Sequence, residues 1–208
     1  MIASLKKVWQ KHRLKDSKYA CLFEPYQGDE VVVLDTETTG MDPRKDEILS
    51  IGAVKVRQNR ILLSDAFEAW LKPEGEISEE SIKIHGIRRI DIEHGEAPER
   101  VIPRLMDFIG NRPIVGYYIR FDQRMLSAYT RRLLGIDLPN ELIELSEMYY
   151  RRYRKRSPHE FVDLKFDTIM EALGLPRLGK HDALNDAVMS ALIYLKLKSM
   201  PEYKGAFS

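Results

Sequence analysis

Apolar residues recur along this chain with two different periods. Val31-Val32-Val33-Leu34 is an unbroken apolar run, the signature of a central strand buried on both faces. Ile48 to Val56 (ILSIGAVKV) and Ile61 to Leu71 (ILLSDAFEAWL) are further strand candidates, and Arg57-Gln58-Asn59-Arg60 between them reads as a hairpin turn. From Ala97 to Ile109 the apolar positions 101, 102, 105, 108 and 109 follow a helical period. Pro113 to Tyr118 is another short strand, and Phe121 to Leu134 reads as helix with Met125, Leu126, Tyr129 and Leu133 on one stripe. The segment Leu142–Tyr150 fits strand and helix equally. Leu164 to Leu173 reads as helix ending at Gly174. The last helix, over 183–198, spaces Leu184, Ala187, Val188, Ala191, Leu192 and Leu195 along one face.

Strands cluster first and then alternate with helices. The predicted class is therefore α/β, with a mixed sheet, part antiparallel meander and part parallel, flanked by helices. No repeat, low-complexity tract or Gly/Ser linker divides the chain. The expected organisation is a basic N-terminal helical extension over 1–30, one main domain over 31–200 and a short tail over 201–208.

Composition narrows the class without identifying a partner. At 208 residues the chain is long enough to build a core unaided, and its 44% hydrophobic and 31% charged residues exclude disordered and fibrous classes. A single cysteine, Cys21, rules out an intramolecular disulfide and cysteine-cluster zinc sites. No run approaches the ~18–20 apolar residues of a membrane span, and the N-terminus lacks the apolar core of a secretory signal. A cytoplasmic protein without a membrane partner is expected. Net charge is +1, but unevenly spread. Residues 1–20 carry six basic side chains against Asp16, whereas residues 61–110 carry eleven acidic against six basic. The densest basic run, Arg151 to Arg156, is preceded by Tyr149 and Tyr150. It is either solvated surface or a strand-tracking patch of cations and aromatics.

The chemistry lies in the carboxylates. Asp35-Thr36-Glu37 follows directly on the apolar run, and strand alternation puts Asp35 and Glu37 on one face with Thr36 on the other. Two carboxylates held together at a strand end repel unless a cation lies between them, and hard oxygen donors suit Mg²⁺ or Mn²⁺. Taken alone, the pair reads more readily as one solvated carboxylate and one helix or turn cap. Asp122 stands where strand gives way to helix, as an N-cap or as a carboxylate aimed at the strand ends. His181 and Asp186 lie five apart, ~140° around a helix, so they cannot share a helical face. That spacing puts His181 in a loop, Asp182 at the cap of the last helix and Asp186 one turn inside it.

Together these segments resemble the DEDDh (DnaQ-like) 3′–5′ exonucleases, a family that includes the proofreading epsilon subunits of bacterial replicative polymerases. Val32-Val33-Leu34-Asp35-Thr36-Glu37-Thr38-Thr39-Gly40-Met41-Asp42-Pro43 resembles the family's first motif, Phe121-Asp122 with Met125-Leu126 the second, and His181-Asp182-Ala183-Leu184-Asn185-Asp186-Ala187 the third. The resemblance implies a ribonuclease H-like fold, two divalent cations, and metal ligands at Asp35, Glu37, Asp122 and Asp186. It also implies His181 as general base. Thr38, Gly40 and Met41 match positions that meet the terminal nucleotide, and His85-Gly86-Ile87 resembles a loop lining the same pocket. Tyr117-Tyr118 departs from the His-Asn pair that many members carry.

The expected activity is metal-dependent hydrolysis from the 3′ end of nucleic acid, single-stranded DNA favoured over RNA, releasing nucleoside 5′-monophosphates. An RNA-trimming or oligoribonucleotide exonuclease is one alternative. A non-catalytic nucleic-acid-binding polymerase accessory is the other. A DNA polymerase is a candidate partner, although the sequence ends about ten residues past the last helix, which favours a stand-alone enzyme. Oligomeric state is not readable from the sequence.

Overall fold

The valine run becomes the middle of a five-stranded sheet because its side chains have apolar partners on both faces. The computed structural model describes residues 2–75, 77, 79–88, 90–154, 161–179 and 182–200. In chain order the elements are α1 (Ile2–Arg13), a 3-10 helix (Ser17–Phe23), β1 (Glu30–Thr38), β2 (Ile48–Arg57), β3 (Arg60–Trp70) and α2 (Glu79–His85). Then follow α3 (Pro98–Ile109), β4 (Ile114–Gly116), α4 (Ile119–Leu134), β5 (Leu142–Glu144), α5 (Leu145–Arg154), α6 (Phe166–Ala172) and α7 (Ala183–Ser199). The sheet order is β3-β2-β1-β4-β5. The β1–β2–β3 meander is antiparallel, and β4 and β5 add in parallel on the other side of β1. This is the mixed sheet flanked by helices that the sequence pattern predicts.

Strand alternation sorts the core into two halves. Val32 and Leu34 pack with Ile102 and Leu105 of α3 and Met125 and Leu126 of α4. Val31 and Val33 pack on the opposite face with Tyr149 of α5, Ile169 of α6 and Met189 and Ile193 of α7. Each such fully buried side chain contributes ~1.5–3 kcal/mol. The sheet therefore holds α3 and α4 on one side and α5, α6 and α7 on the other.

The ambiguous 142–150 segment is both things in turn. Three residues pair with β4 and the chain enters α5 at Leu145 with no loop between. The turn at 57–60 forms as expected, with Gln58 at φ +55°. The helix α2 and the 3-10 helix carry no strong periodic signal, since each is only seven residues long. Residues before β1 pack against the body: Lys15 N–H donates to the Leu134 carbonyl at 2.9 Å and Gln10 donates to Asp137 at 3.0 Å. Gly135 (φ +79°) ends α4 there, and a Cβ on it would lie 2.4 Å from the Arg13 carbonyl oxygen. Among the described residues no helix is long and apolar enough to cross a membrane.

Candidate active site

The two-faced alternation of β1 continues past its apolar run into polar residues. Asp35 and Glu37 extend the face covered by α7, and Thr36 extends the face covered by α4. Carboxylate oxygens of Asp35, Glu37 and Asp186 lie within 4.8 Å of one another. Asp186 reaches this point because α7 begins beside the sheet. Asp182 caps the helix by accepting from the Asn185 N–H at 2.9 Å, so Asp186 falls one turn inside, as the spacing predicts.

Asp122 stands outside that triad, on the other side of the strand. It is 3% exposed and accepts the Thr36 hydroxyl at 2.7 Å. It is not the N-cap of α4. Tyr118 holds that position at φ +54° and offers no side-chain cap. The helix start is instead satisfied by Glu144 at the end of β5, which accepts the N–H groups of Tyr118 and Ile119, each at 3.0 Å. Glu144 also accepts the Ser146 hydroxyl at 2.8 Å. Asp122 is thus held by a strand residue 86 positions away, on a helix whose start is seated by the carboxylate at the end of β5.

Burial and repulsion among acids dominate the electrostatics of Asp35 and Glu37. Burial, then repulsion from Asp122, Asp186 and Glu37, raises the Asp35 carboxyl well above the ordinary carboxylate range. Burial, then Asp186 and Asp122, pushes Glu37 up to about 7. Burial likewise pushes Asp122 up to about 7, against the pull of the Thr36 hydrogen bond. Burial and neighbouring acids all favour the neutral forms of Asp35 and Glu37, and a bound cation would reverse that balance. Ser50 lies opposite Glu37 in the β1–β2 register, and its buried hydroxyl has no hydrogen-bond partner among the described residues. An all-oxygen donor set of this density fits a hard divalent cation.

The turn after β1 is built to hold its shape. Thr38 donates to the Gly40 carbonyl at 2.8 Å, and Asp46 accepts the Asp42 N–H at 2.7 Å. A Cβ on Gly40 would lie 2.6 Å from the Asp46 carboxylate. Met41 projects from this turn at 75% exposure, a large apolar side chain without cover. His181 lies outside the described residues, as do Lys155 and Arg156 of the basic run. For His85 only the backbone, as the last residue of α2, is described. Of that basic run, Arg151 pairs with Glu147 at 3.3 Å, and Arg152 donates to the Met200 carbonyl at 2.6 Å.

On the α7 side of the triad a cavity of about 330 Å³ is lined by Asp35, Asp186, Tyr117, Phe166, Met170 and Met189, together with Lys165 and Arg177. Tyr117, at the departure from His-Asn, donates its hydroxyl to the Leu164 carbonyl at 2.9 Å and stacks edge-on against Phe166. Sequence reasoning missed Thr36, Glu144 and Gly52 as positioning residues. Gly52 had a signal, a glycine inside a buried strand. It pairs with Asp35 across β1–β2, and a Cβ there would lie 2.2 Å from the Ala183 and Leu184 backbone. Thr36 and Glu144 had none, because their partners are distant in sequence.

Comparison with known proteins gives this geometry a family. Residues 32–194 match the exonuclease family model RNase_T. The chain is 35% identical over 169 residues to the PolC-type DNA polymerase III of Thermotoga petrophila, covering 81% of this chain and 12% of that protein. It therefore spans about an eighth of the length of that relative. With the DNA polymerase III epsilon subunit of Aquifex aeolicus it shares 28% identity over 169 residues, 80% of this chain and 79% of the relative. The fold is that of Escherichia coli exonuclease I, solved in complex with a dT13 oligonucleotide, at a TM-score of 0.72 and 18% identity over 82% of this chain and 41% of that one. The chain belongs to the RNase_T exonuclease family, the DnaQ-like exonucleases of ribonuclease H-like fold.

Proposed function

We propose that this protein is a two-metal-ion 3′–5′ exonuclease acting on single-stranded DNA and releasing nucleoside 5′-monophosphates. The observation that carries the reading is the convergence of Asp35, Glu37 and Asp186 within 4.8 Å, with Asp122 held at Thr36, between Asp35 and Glu37 in sequence. Asp35, central among these acids, would be shared between two Mg²⁺ or Mn²⁺ ions, with Glu37 and Asp186 on one and Asp122 on the other. Bound there, such ions lower the pKa of water and relieve charge on the phosphate and leaving oxygen. His181 takes the proton from the attacking water as general base, a task that suits an imidazole with an unperturbed pKa near ~6.5. Thr38, Gly40 and His85 meet the terminal nucleotide, and the exposed Met41 wedges against its base.

Residues 31–200 constitute the exonuclease domain in this reading, residues 1–30 a basic extension and 201–208 a tail, in a cytoplasmic protein. The polymerase relatives favour a second reading of its setting, proofreading beside a polymerase. The test is hydrolysis of matched 3′-labelled DNA and RNA single strands with and without EDTA, by the unaltered protein and by Asp35→Ala. Metal-dependent release of mononucleotides from DNA, abolished in Asp35→Ala, is expected. Activity indifferent to EDTA or to that substitution sinks the assignment, and faster release from RNA replaces the substrate.

A further inference from the structure

Beyond the carboxylates, the outer faces of α4 and α1 carry cations and aromatics that core packing does not require. Arg120, Arg124 and Arg131 lie on one stripe of α4, since four- and seven-residue steps keep them within ~40° of one another. Asp122 is ~200° from Arg120 around the same helix, so the stripe faces away from the sheet, and all three arginines are exposed. Arg120 and Arg124 have no ion-pair partner among the described residues. Arg131 reaches Asp137 at 3.1 Å, and Asp137 also accepts from Gln10 of α1. The far end of the stripe therefore abuts α1, where Trp9 is 55% exposed with the Arg13 guanidinium 4.4 Å over its ring.

At the near end stands Tyr118, 61% exposed and held in the left-handed region, a conformation that costs a non-glycine residue ~1–2 kcal/mol. Its ring lies 4.5 Å from that of Tyr117, which lines the cavity beside Asp35. Strain in an exposed aromatic at the edge of a site points to a task other than stability.

We propose that this stripe is a track for single-stranded DNA running 5′ from the site. Tyr118 stacks on a base as the strand leaves, Arg120 and Arg124 follow its phosphates along α4, and the Trp9–Arg13 pair on α1 stacks a base beyond Arg131. Guanidinium groups one turn apart between two aromatic faces fit a polymer that alternates phosphates with bases. Over the 16 residues of α4 the track spans ~24 Å, in keeping with the ~4–16-nucleotide sites of single-strand binders. The direction of the strand rests on the proposed 3′-end site, but strand binding does not need turnover.

The test is fluorescence anisotropy of a labelled 20-nucleotide DNA strand in EDTA over a salt series. It compares the unaltered protein, Arg120→Gln/Arg124→Gln, and a control with the same charge change on the β2–β3 hairpin, Arg57→Gln/Arg60→Gln. For the α4 variant, binding about tenfold weaker at low salt is expected. Its slope of log K against log salt should be shallower by ~1.4, two contacts at ~0.7 each. The hairpin control keeps the parental slope. An unchanged slope in the α4 variant, or an equal change in both variants, overturns the track and leaves the exonuclease reading standing. Failure of the unaltered protein to hydrolyse any strand counts against that reading alone, because the binding result is independent of turnover.

Discussion

A carboxylate as buried as Asp122 can ionise only where donors face it, and the Thr36 hydroxyl is one of those donors. Thr36→Val keeps the shape and removes that donor. Asp122 should then be pushed above its present value of about 7. Leaving a buried group short of its hydrogen bond costs ~1–3 kcal/mol. The loss should be larger at pH 8, where Asp122 must be charged, than at pH 5.5, where it is neutral. Denaturant titration at the two pH values checks this, and an equal loss at both would show that the bond does not govern ionisation. His181 is argued from the family motif. His181→Ala should lower kcat by ~10²–10⁴, the worth of a positioned general base, while the melting shift caused by Mg²⁺ or Mn²⁺ stays near the parental value. A parental kcat would rule out the role.

At the scale of elements, the site exists because α7 can lie against β2. The space is at Gly52, opposite Asp35, where any Cβ would meet α7 backbone at 2.2 Å rather than a side chain able to rotate away. Gly52→Ala therefore moves the first turn of α7, and Asp186 with it, while altering no carboxylate. The expected cost is ~1–3 kcal/mol of stability, the usual range for overpacking. Activity should fall at least tenfold, an order-of-magnitude figure for a ligand displaced by ~1 Å. Titrating Mn²⁺ by thermal melting alongside kcat measurements checks the mechanism: a parental metal response would mean that the helix had not moved. The start of α4 makes a related case. Its first N–H groups go to Glu144 because Tyr118 supplies no cap. Helix existence was readable from the stripe of Met125, Leu126 and Tyr129, whereas the anchor that orients Asp122 was not.

For the whole molecule, three raised carboxyl groups tie stability to pH and metal. A group whose folded pKa lies above its unfolded value contributes stability that is fully present below the unfolded value, and that stability is lost as pH rises through the folded one. Glu37, at about 7 against an ordinary 4.5, and Asp122, at about 7 against 3.8, place that loss between roughly pH 4 and 7, and Asp35 acts in the same direction. Metal-free protein should melt several degrees lower at pH 8 than at pH 5. Added Mg²⁺ should restore more at pH 8, because binding there need not displace protons. A metal-free melting temperature that rises between those values would contradict the cluster's electrostatics. The strands, the principal helices, the α/β class and the carboxylates themselves were determined by the sequence, because hydrophobic period and local motifs are properties of neighbouring residues. Asp182 capping α7 and Asp186 one turn inside it belong to the same class, since a cap acts over three positions. Only the tertiary structure decided that Asp122 stands apart from the Asp35–Glu37–Asp186 triad, tied to Thr36 on the far face of β1. It alone also decided that Gly52 admits α7 and that Glu144 seats α4. These are contacts between residues tens of positions apart, and no local periodicity encodes which side chains the packing of helices on a twisted sheet will bring together.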